Sequence, residues 1–343
     1  MPNNIQNIHR AFANAAAHKK IDGPAAAKII DEARRNGLTQ SEADTLVHEV
    51  AARQDSFTPE AKATFDDFIK NKMKSEEILD RVPPDKGPLK DPAVVPADSK
   101  RLGWETVPDG KLFIKGPSGS DVEQNYLGDC YLMAAASAVA HSAPKDIEKM
   151  FTRKSDGTYD VRLYSNDGGK LVAHTINIDA ELPRNGWYGY YYAGDKNPKE
   201  LWPALLEKAF AVRAGNYNAI QGGEPGNAMA SITGLPSKSL DLRAAGTTPE
   251  ATFAAIEAAV KAGKPATAVT LSDESAAKYK GTNIFTDHTY TIWGTSVEGG
   301  VSYVHLRNPW GDTEPKGNGR DDGIFKIPLK EFMSLFCGVA ING

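Results

Sequence analysis

Only two cysteines, Cys130 and Cys337, occur in 343 residues. A disulfide framework for so long a chain would use more, so cross-links do not define this fold. No apolar run approaches the roughly 18–20 residues that span a bilayer, and no membrane span is expected. The first residues lack a basic stretch followed by an apolar block. A cleavable signal peptide is therefore not expected, which points to the cytoplasm or to export by another route. A clustered basic face is missing too: the formal net charge is -4. No nucleic-acid partner is expected. No repeat of fixed period is present. What remains is ordinary globular composition, 41% hydrophobic and 24% charged, with enough chain for two or three cores.

Residues 1–75 carry helical periodicity, as in Ala27, Ile29, Ile30 and Ala33, or Phe65, Phe68 and Ile69. Asp22-Gly23-Pro24, Thr39-Gln40-Ser41-Glu42 and Thr58-Pro59-Glu60 read as helix starts, and Gly37 as a stop. A bundle of about four helices is predicted. Five prolines between Pro83 and Pro96 make residues 76–100 an extended linker. Beyond it, Tyr126–His141, Leu201–Arg213 and Pro249–Ala262 read as helices. Tyr159–Tyr164 and Leu171–Ile178 read as strands around an Asn166-Asp167-Gly168-Gly169 turn, and a longer run of strands comes later (Ala266–Leu271, His288–Thr295, Val301–Arg307, Gly323–Ile327). That order predicts an α+β fold rather than a doubly wound sheet.

Three segments carry chemistry. Gly128-Asp129 precedes an Ala-rich helix, so Cys130 falls in its first turn. The unpaired N–H groups of a helix start favour a thiolate. Gln124, six residues upstream, can curl back and donate to an oxyanion beside the Cys130 backbone N–H. The bland alternative is a buried helix cysteine. Of seven histidines, His288 opens a strand, while His305 lies inside one and is the rival. His141 ends the Cys130 helix, where a cation is favoured. Asn308, in Arg307-Asn308-Pro309-Trp310-Gly311, follows the strand that a hairpin pairs with the one His288 opens. The pairing brings Asn308 toward His288 as its orienting partner. In isolation Asn-Pro-Trp-Gly is a turn.

With these residues in view the chain resembles the calpain catalytic core. The matching blocks are Gln124…Gly128-Asp129-Cys130-Tyr131-Leu132, Asp287-His288-Thr289-Tyr290-Thr291, and Arg307-Asn308-Pro309-Trp310-Gly311. Glu200-Leu201-Trp202-Pro203 with Gly222-Gly223, and Asp322-Gly323-Ile324-Phe325, agree as well. The resemblance spans about residues 101–343. It implies a papain-like fold, with a helical lobe over 101–223 carrying Cys130 and a β-rich lobe over 224–343 carrying His288 and Asn308. It implies a Cys130–His288–Asn308 endopeptidase acting on protein substrates, with Gln124 as oxyanion donor and Trp310 as shield. Gly222, Gly223, Trp310 and Asp287 would border the substrate. It also implies calcium, at Ile114, Gly116, Asp121 and Glu200. A second calcium loop matches at Glu314 and Asp322, but it is short, and Ile324 replaces an acidic residue. Tyr131 stands where the family usually has Trp, and Asp287 where it has Gly. The N-terminal helices would bind the core or a partner, leaving an inhibited or non-proteolytic module as the alternative. A transglutaminase-like enzyme would favour Asp over Asn308.

Overall fold

The structure is a computed structural model. It describes residues 20–34, 56–69, 91–96, 98–100, 102–185, 189–315 and 320–343. Ile8, Ala11, Phe12, Ala15, Leu46, Glu49, Val50 and Arg53 are also described. The predicted helix start at Thr39–Glu42, the Gly37 stop and the linker prolines Pro83, Pro84 and Pro88 lie outside these residues.

In the N-terminal part, helices α1 (Gly23–Arg34) and α2 (Pro59–Asp67) start where their sequence signals stand. The Thr58 hydroxyl accepts the Ala61 N–H, with Pro59 in the first turn. Ile29, Ile30 and Ala33 of α1 and Phe65 of α2 bury a core with Ile8, Phe12 and Leu46. Phe12 stacks on Phe65 at 5.7 Å.

The remainder follows in order: β1 (Gly103–Thr106), α3 (Cys130–Ser142), α4 (Pro144–Met150), β2 (Phe151–Arg153), β3 (Tyr159–Asp167), β4 (Lys170–Ile178), β5 (Glu181–Asn185), β6 (Gly189–Tyr190), α5 (Trp202–Arg213), α6 (Pro225–Thr233), β7 (Ser237–Asp241), α7 (Pro249–Lys261), β8 (Ala266–Thr270), β9 (Thr289–Glu298), β10 (Val301–Arg307), β11 (Ile324–Pro328), α8 (Leu329–Leu335) and β12 (Phe336–Asn342). Helices and antiparallel strands are interleaved from the start, with β1–β6 already ahead of α5; the mixture is α+β, but strands do not wait for the helices as the sequence order suggested. The main sheet runs β11-β10-β9-β8-β12-β7, and all its pairings are antiparallel. Two three-stranded sheets, β2-β3-β4 and β1-β5-β6, complete the strands among the described residues.

α3 is apolar on every side, and Tyr131 through Ala140 are all buried. A helix of that kind belongs inside a core. Around it gather Leu205 and Phe210 of α5, Met229 of α6 and Val161 of β3. A second apolar cluster lies on the main sheet, with Ile256, Tyr290, Val304, Phe332 and Phe336. α3 packs against β9, and the Thr291 hydroxyl donates to the Ala134 carbonyl at 2.8 Å. The chain is fastened to this body from residue 91 onward. Ala93 pairs with Asn216, and Asp98 accepts the phenol protons of Tyr191 and Tyr192.

Candidate active site

The hairpin predicted between β9 and β10 is present, with a tighter turn than the five-residue loop read from the sequence. Gly299 and Gly300, at φ of 58° and 81°, make the turn alone. Both need the left-handed region that glycine enters without strain. The register pairs Arg307 with Thr291, so His288 and Asn308 sit just past the paired ends on one edge. There the His288 Nε2–H donates to Asn308 Oδ1 at 2.9 Å. The carboxamide is fixed in that orientation. Its Nδ2 donates to Thr313 O at 3.0 Å, and Oδ1 also accepts the Trp310 N–H. Thr270 holds the histidine backbone from the other side, its hydroxyl accepting His288 N–H and donating to His288 O. With the proton on Nε2, Nδ1 keeps a free lone pair. Burial holds the imidazole down at about 4, against the opposing pull of Asn308.

The helix expected from Tyr126 begins at Cys130. Residues 123–126 are instead strung along neighbouring segments. Gln124 N–H donates to Pro309 O, Asn125 Nδ2 to Tyr192 O and Tyr126 N–H to Tyr191 O. This lead-in sets Cys130 at the first position of α3. Its sulfur meets the N–H and hydroxyl of Thr289, the residue after His288, and the Tyr131 N–H. Among the described residues no hydrogen bond joins the sulfur to the imidazole. The expected fall in thiol pKa is reversed here: burial pushes the thiol up to about 11, and the Asp129 carboxyl adds to the rise. Desolvation exceeds the pull of the helix start. Gln124 Nε2 donates one proton to Leu127 O at 2.6 Å, leaving its second proton unassigned, while Oε1 is buried without a partner.

The other border residues divide. Trp310 covers His288, ring centroids 4.8 Å apart. Gly222 has φ of 72° and donates its N–H to Gly128 O at 2.8 Å, beside the start of α3. A Cβ on Gly223 would stand 2.6 Å from the Tyr131 ring. That glycine is therefore required by packing inside the protein. The Asp287 carboxylate accepts the Asp273 N–H at 2.9 Å. His141 lies in the last turn of α3, as the sequence suggested, but its ring is engaged with a neighbouring strand. It stacks on Trp293 at 3.9 Å, donates Nε2–H to Trp293 O, and burial lowers its pKa. The rival His305 bonds Ser296 on the hairpin, 9 residues away in sequence. Sequence reading passed over Thr270 and Phe285. Phe285 lies 4.5 Å from the Trp310 ring, and only its place three residues before His288 hinted at this.

A carboxylate cluster stands apart from these groups. Oxygens of Asp121, Asp195 and Glu200 lie within 4.8 Å of one another. Asp195 carries no spacing signal toward Asp121 and was missed. A close approach of Gly119 to α3 carries Asp121 into place: a Cβ on Gly119 would stand 2.7 Å from Ser137 O. Trp202 Nε1 and Ser118 N–H donate to Asp121, and Ile114 N–H donates to Glu200. Burial, then the neighbouring carboxylates, raise Asp195 to about 6 and Glu200 to about 7. Among the described residues no lysine or arginine forms an ion pair with any of the three. The donor set is all oxygen and fits a hard cation. The contrast is with Asp91, Asp179 and Glu181, where buried Lys208 donates to Asp179 and to the Glu181 carbonyl and pairs with Asp91. In the second predicted loop, Glu314 takes the Asp322 and Gly323 N–H groups and Asp322 takes the Ile324 N–H. Its residues 316–319 lie outside the described residues.

Comparison with known proteins gives the family. Residues 96–341 match the family described as calpain family cysteine protease. Calpain-A of Drosophila melanogaster is 30% identical over 236 residues, covering 63% of this chain and 27% of that protein. Calpain clp-1 of Caenorhabditis elegans is 30% identical over 237 residues, 64% of this chain and 29% of its own. Calpain-9 of Mus musculus is 30% identical over 283 residues, 72% and 39%. The chain thus spans 27% to 39% of the length of these relatives. With the family match running through both the Cys130 helix and the His288–Asn308 hairpin, the chain belongs to the calpain family of cysteine proteases.

Proposed function

We propose that this chain is a cysteine endopeptidase with a papain-like, two-lobed core, its lobes built on the α3 cluster and on the main sheet. The observation that carries the reading is the buried His288 Nε2–Asn308 Oδ1 bond, held with Cys130 against the residue next to His288. A histidine oriented by a carboxamide and set beside a helix-start thiol is the arrangement nucleophilic acyl transfer requires.

The thiol and imidazole are both neutral at pH 7 in this environment. The reaction begins when the Cys130 proton passes to His288 Nδ1, giving a thiolate and an imidazolium whose attraction offsets their desolvation. The thiolate adds to the substrate carbonyl carbon. The free Gln124 Nε2 proton and the Cys130 N–H receive the oxyanion, each donor contributing roughly 3–4 kcal/mol. The C–N bond breaks as the imidazolium protonates the leaving amine, leaving a thioester on Cys130. Neutral His288 then takes a proton from water, whose oxygen attacks the thioester, and returns it to the sulfur. Trp310 keeps bulk water from the Asn308–His288 bond.

Calcium belongs to the same reading, held by Asp121, Asp195 and Glu200 with the Ile114 and Gly116 carbonyls. When bound it supplies positive charge to carboxylates that burial otherwise keeps partly protonated. The direct test is cleavage of an unstructured protein such as casein by the full chain, with calcium and with chelator. Cleavage that disappears in Cys130→Ala, at unchanged melting temperature, is the expected result. Equal cleavage by that variant removes the assignment.

A further inference from the structure

The residue before the thiol is an anomaly. Asp is among the best N-caps, yet Asp129 at the N-cap of α3 makes no side-chain cap bond. It is fully buried, and apart from its own backbone N–H no backbone or side-chain N–H or hydroxyl of the helix start reaches its carboxylate. What it meets is the carboxyl of Glu207 from α5. Glu207 is 1% exposed, and both its oxygens accept the Ala193 N–H at 3.1 Å. Two buried carboxyls in contact do not both ionise; they share a proton.

We propose that Glu207 is a positioning residue for Cys130: by sharing a proton with Asp129 it holds that carboxyl away from the start of α3. This inference rests on the peptidase reading. A released Asp129 would swing to the N–H of Tyr131 or Leu132, as N-cap aspartates do. The Leu132 N–H is already taken by Asp129 O, but the Tyr131 N–H faces the Cys130 sulfur. The carboxylate would remove a donor from the thiolate and set a like charge beside it. Held by Glu207, the same side chain leaves the helix start to the sulfur and the oxyanion.

The surroundings fit a shared proton. Facing the pair are the Cys130 thiol and Tyr131 phenol of α3 and the Tyr192 and Tyr217 phenols, with Asp91 beyond Tyr217 and Arg213 beyond Tyr131. The Tyr217 hydroxyl is buried without a partner, and burial raises both carboxyls of the pair. Lys208, the next residue of α5, is engaged with Asp91 and Asp179.

The test follows alkylation of Cys130 by iodoacetamide against pH, read by mass spectrometry of its peptide in the full-length protein, with the Cys337 peptide as internal reference. Glu207→Ala should slow alkylation at pH 7.5 about tenfold, a shift of about one pH unit in the thiol midpoint. Adding Asp129→Asn to it should restore the rate to within about threefold, because the displaced charge is gone. A merely structural role predicts no such rescue. Wild-type rates in Glu207→Ala, or no recovery in the double variant, overturn the proposal. If Glu207→Ala fails to fold, Glu207→Gln carries the test. Its amide donates permanently to Asp129, so its profile should be a single titration. The wild-type profile should bend again once the shared proton leaves. Identical profiles overturn the proposal. Alkylation that behaves as described in a chain that cleaves nothing would instead sink the peptidase reading alone.

Discussion

On the sheet side of the site, His288 and Asn308 are bonded through side chain and backbone to Thr270, Thr313, Gly323 and Trp310. On the helix side, Gln124 Oε1 is buried without a donor, Asp129 meets the Glu207 carboxyl in place of the helix start, and burial raises the Cys130 thiol to about 11. Under the proposed peptidase reading the difference follows from what each side would do. The base would need one tautomer and one orientation, and a strand ladder with a fixed carboxamide provides both. The helix side would receive a thiolate and then an oxyanion, and the second Gln124 Nε2 proton is left uncommitted for it.

Breaking the sheet side should have the largest effect. Asn308→Ala is expected to lower kcat by about a thousandfold. It also leaves the His288 Nε2–H and Trp310 N–H without an acceptor, so urea unfolding should show a loss of about 1–3 kcal/mol. A variant that keeps wild-type kcat would remove the claim that the carboxamide orients the base. Gln124→Ala probes the other side. Its kcat should fall on the order of a hundredfold at unchanged KM. Its stability should stay within about 1 kcal/mol, since a partnerless buried oxygen leaves with the side chain. A changed KM with intact kcat would place Gln124 in substrate binding.

The comparison can be sharpened through pH. The fold holds His288 neutral with its pKa lowered to about 4, so the unfolded chain binds a proton first as pH falls. The contribution of His288 to stability is full above about pH 6.5 and is lost as pH drops toward 4, by up to about 3 kcal/mol. Asp129, Asp195 and Glu200 act in the opposite sense, because their raised pKa values favour the folded state as protons bind. The readout is therefore the difference in unfolding free energy between wild type and His288→Gln. A difference that stays constant between pH 7 and 4.5 would contradict the buried neutral imidazole. The smallest expected effect is a rise of about 3–5 °C in melting temperature with millimolar calcium at pH 7.5. It should shrink at pH 5.5, where Asp195 and Glu200 hold protons, and in Asp195→Asn. An unmoved melting temperature would take the ion away from this cluster.

Much of this was legible because local signals and tertiary contacts agreed. The hairpin of β9 and β10 is written in two β-rich runs around Gly299-Gly300, and pairing then dictates that His288 and Asn308 meet. The strands Tyr159–Asp167 and Lys170–Ile178 likewise stand where Asn166-Asp167-Gly168-Gly169 marks a turn. Other elements could not be read. α6 begins at Pro225 and ends at Thr233, capped by Gly234, but its Pro-Gly start looks like loop, and burial of Ala228 and Met229 favours the helix. β1 and β5 are short and mostly polar, and they exist through their mutual pairing. Tyr126–Asp129 carry apolar residues like the helix they precede, yet the Tyr126 N–H bonds Tyr191 O and Gly128 O accepts the Gly222 N–H, which holds this stretch irregular.

By itself, then, the sequence determined which groups could do chemistry: a thiol at a helix start, a strand-opening histidine, an asparagine past the partner strand. These depend on residue type and short-range periodicity, which the chain carries wherever it goes. Only the tertiary structure decided their state. The thiol is raised and the imidazole lowered because both are desolvated, and desolvation is a sum over distant neighbours. The same holds for Asp195 joining Asp121 from 74 positions away, and for Glu207 facing Asp129 across two helices. Such pairings are set by packing, and no spacing along the chain announces them.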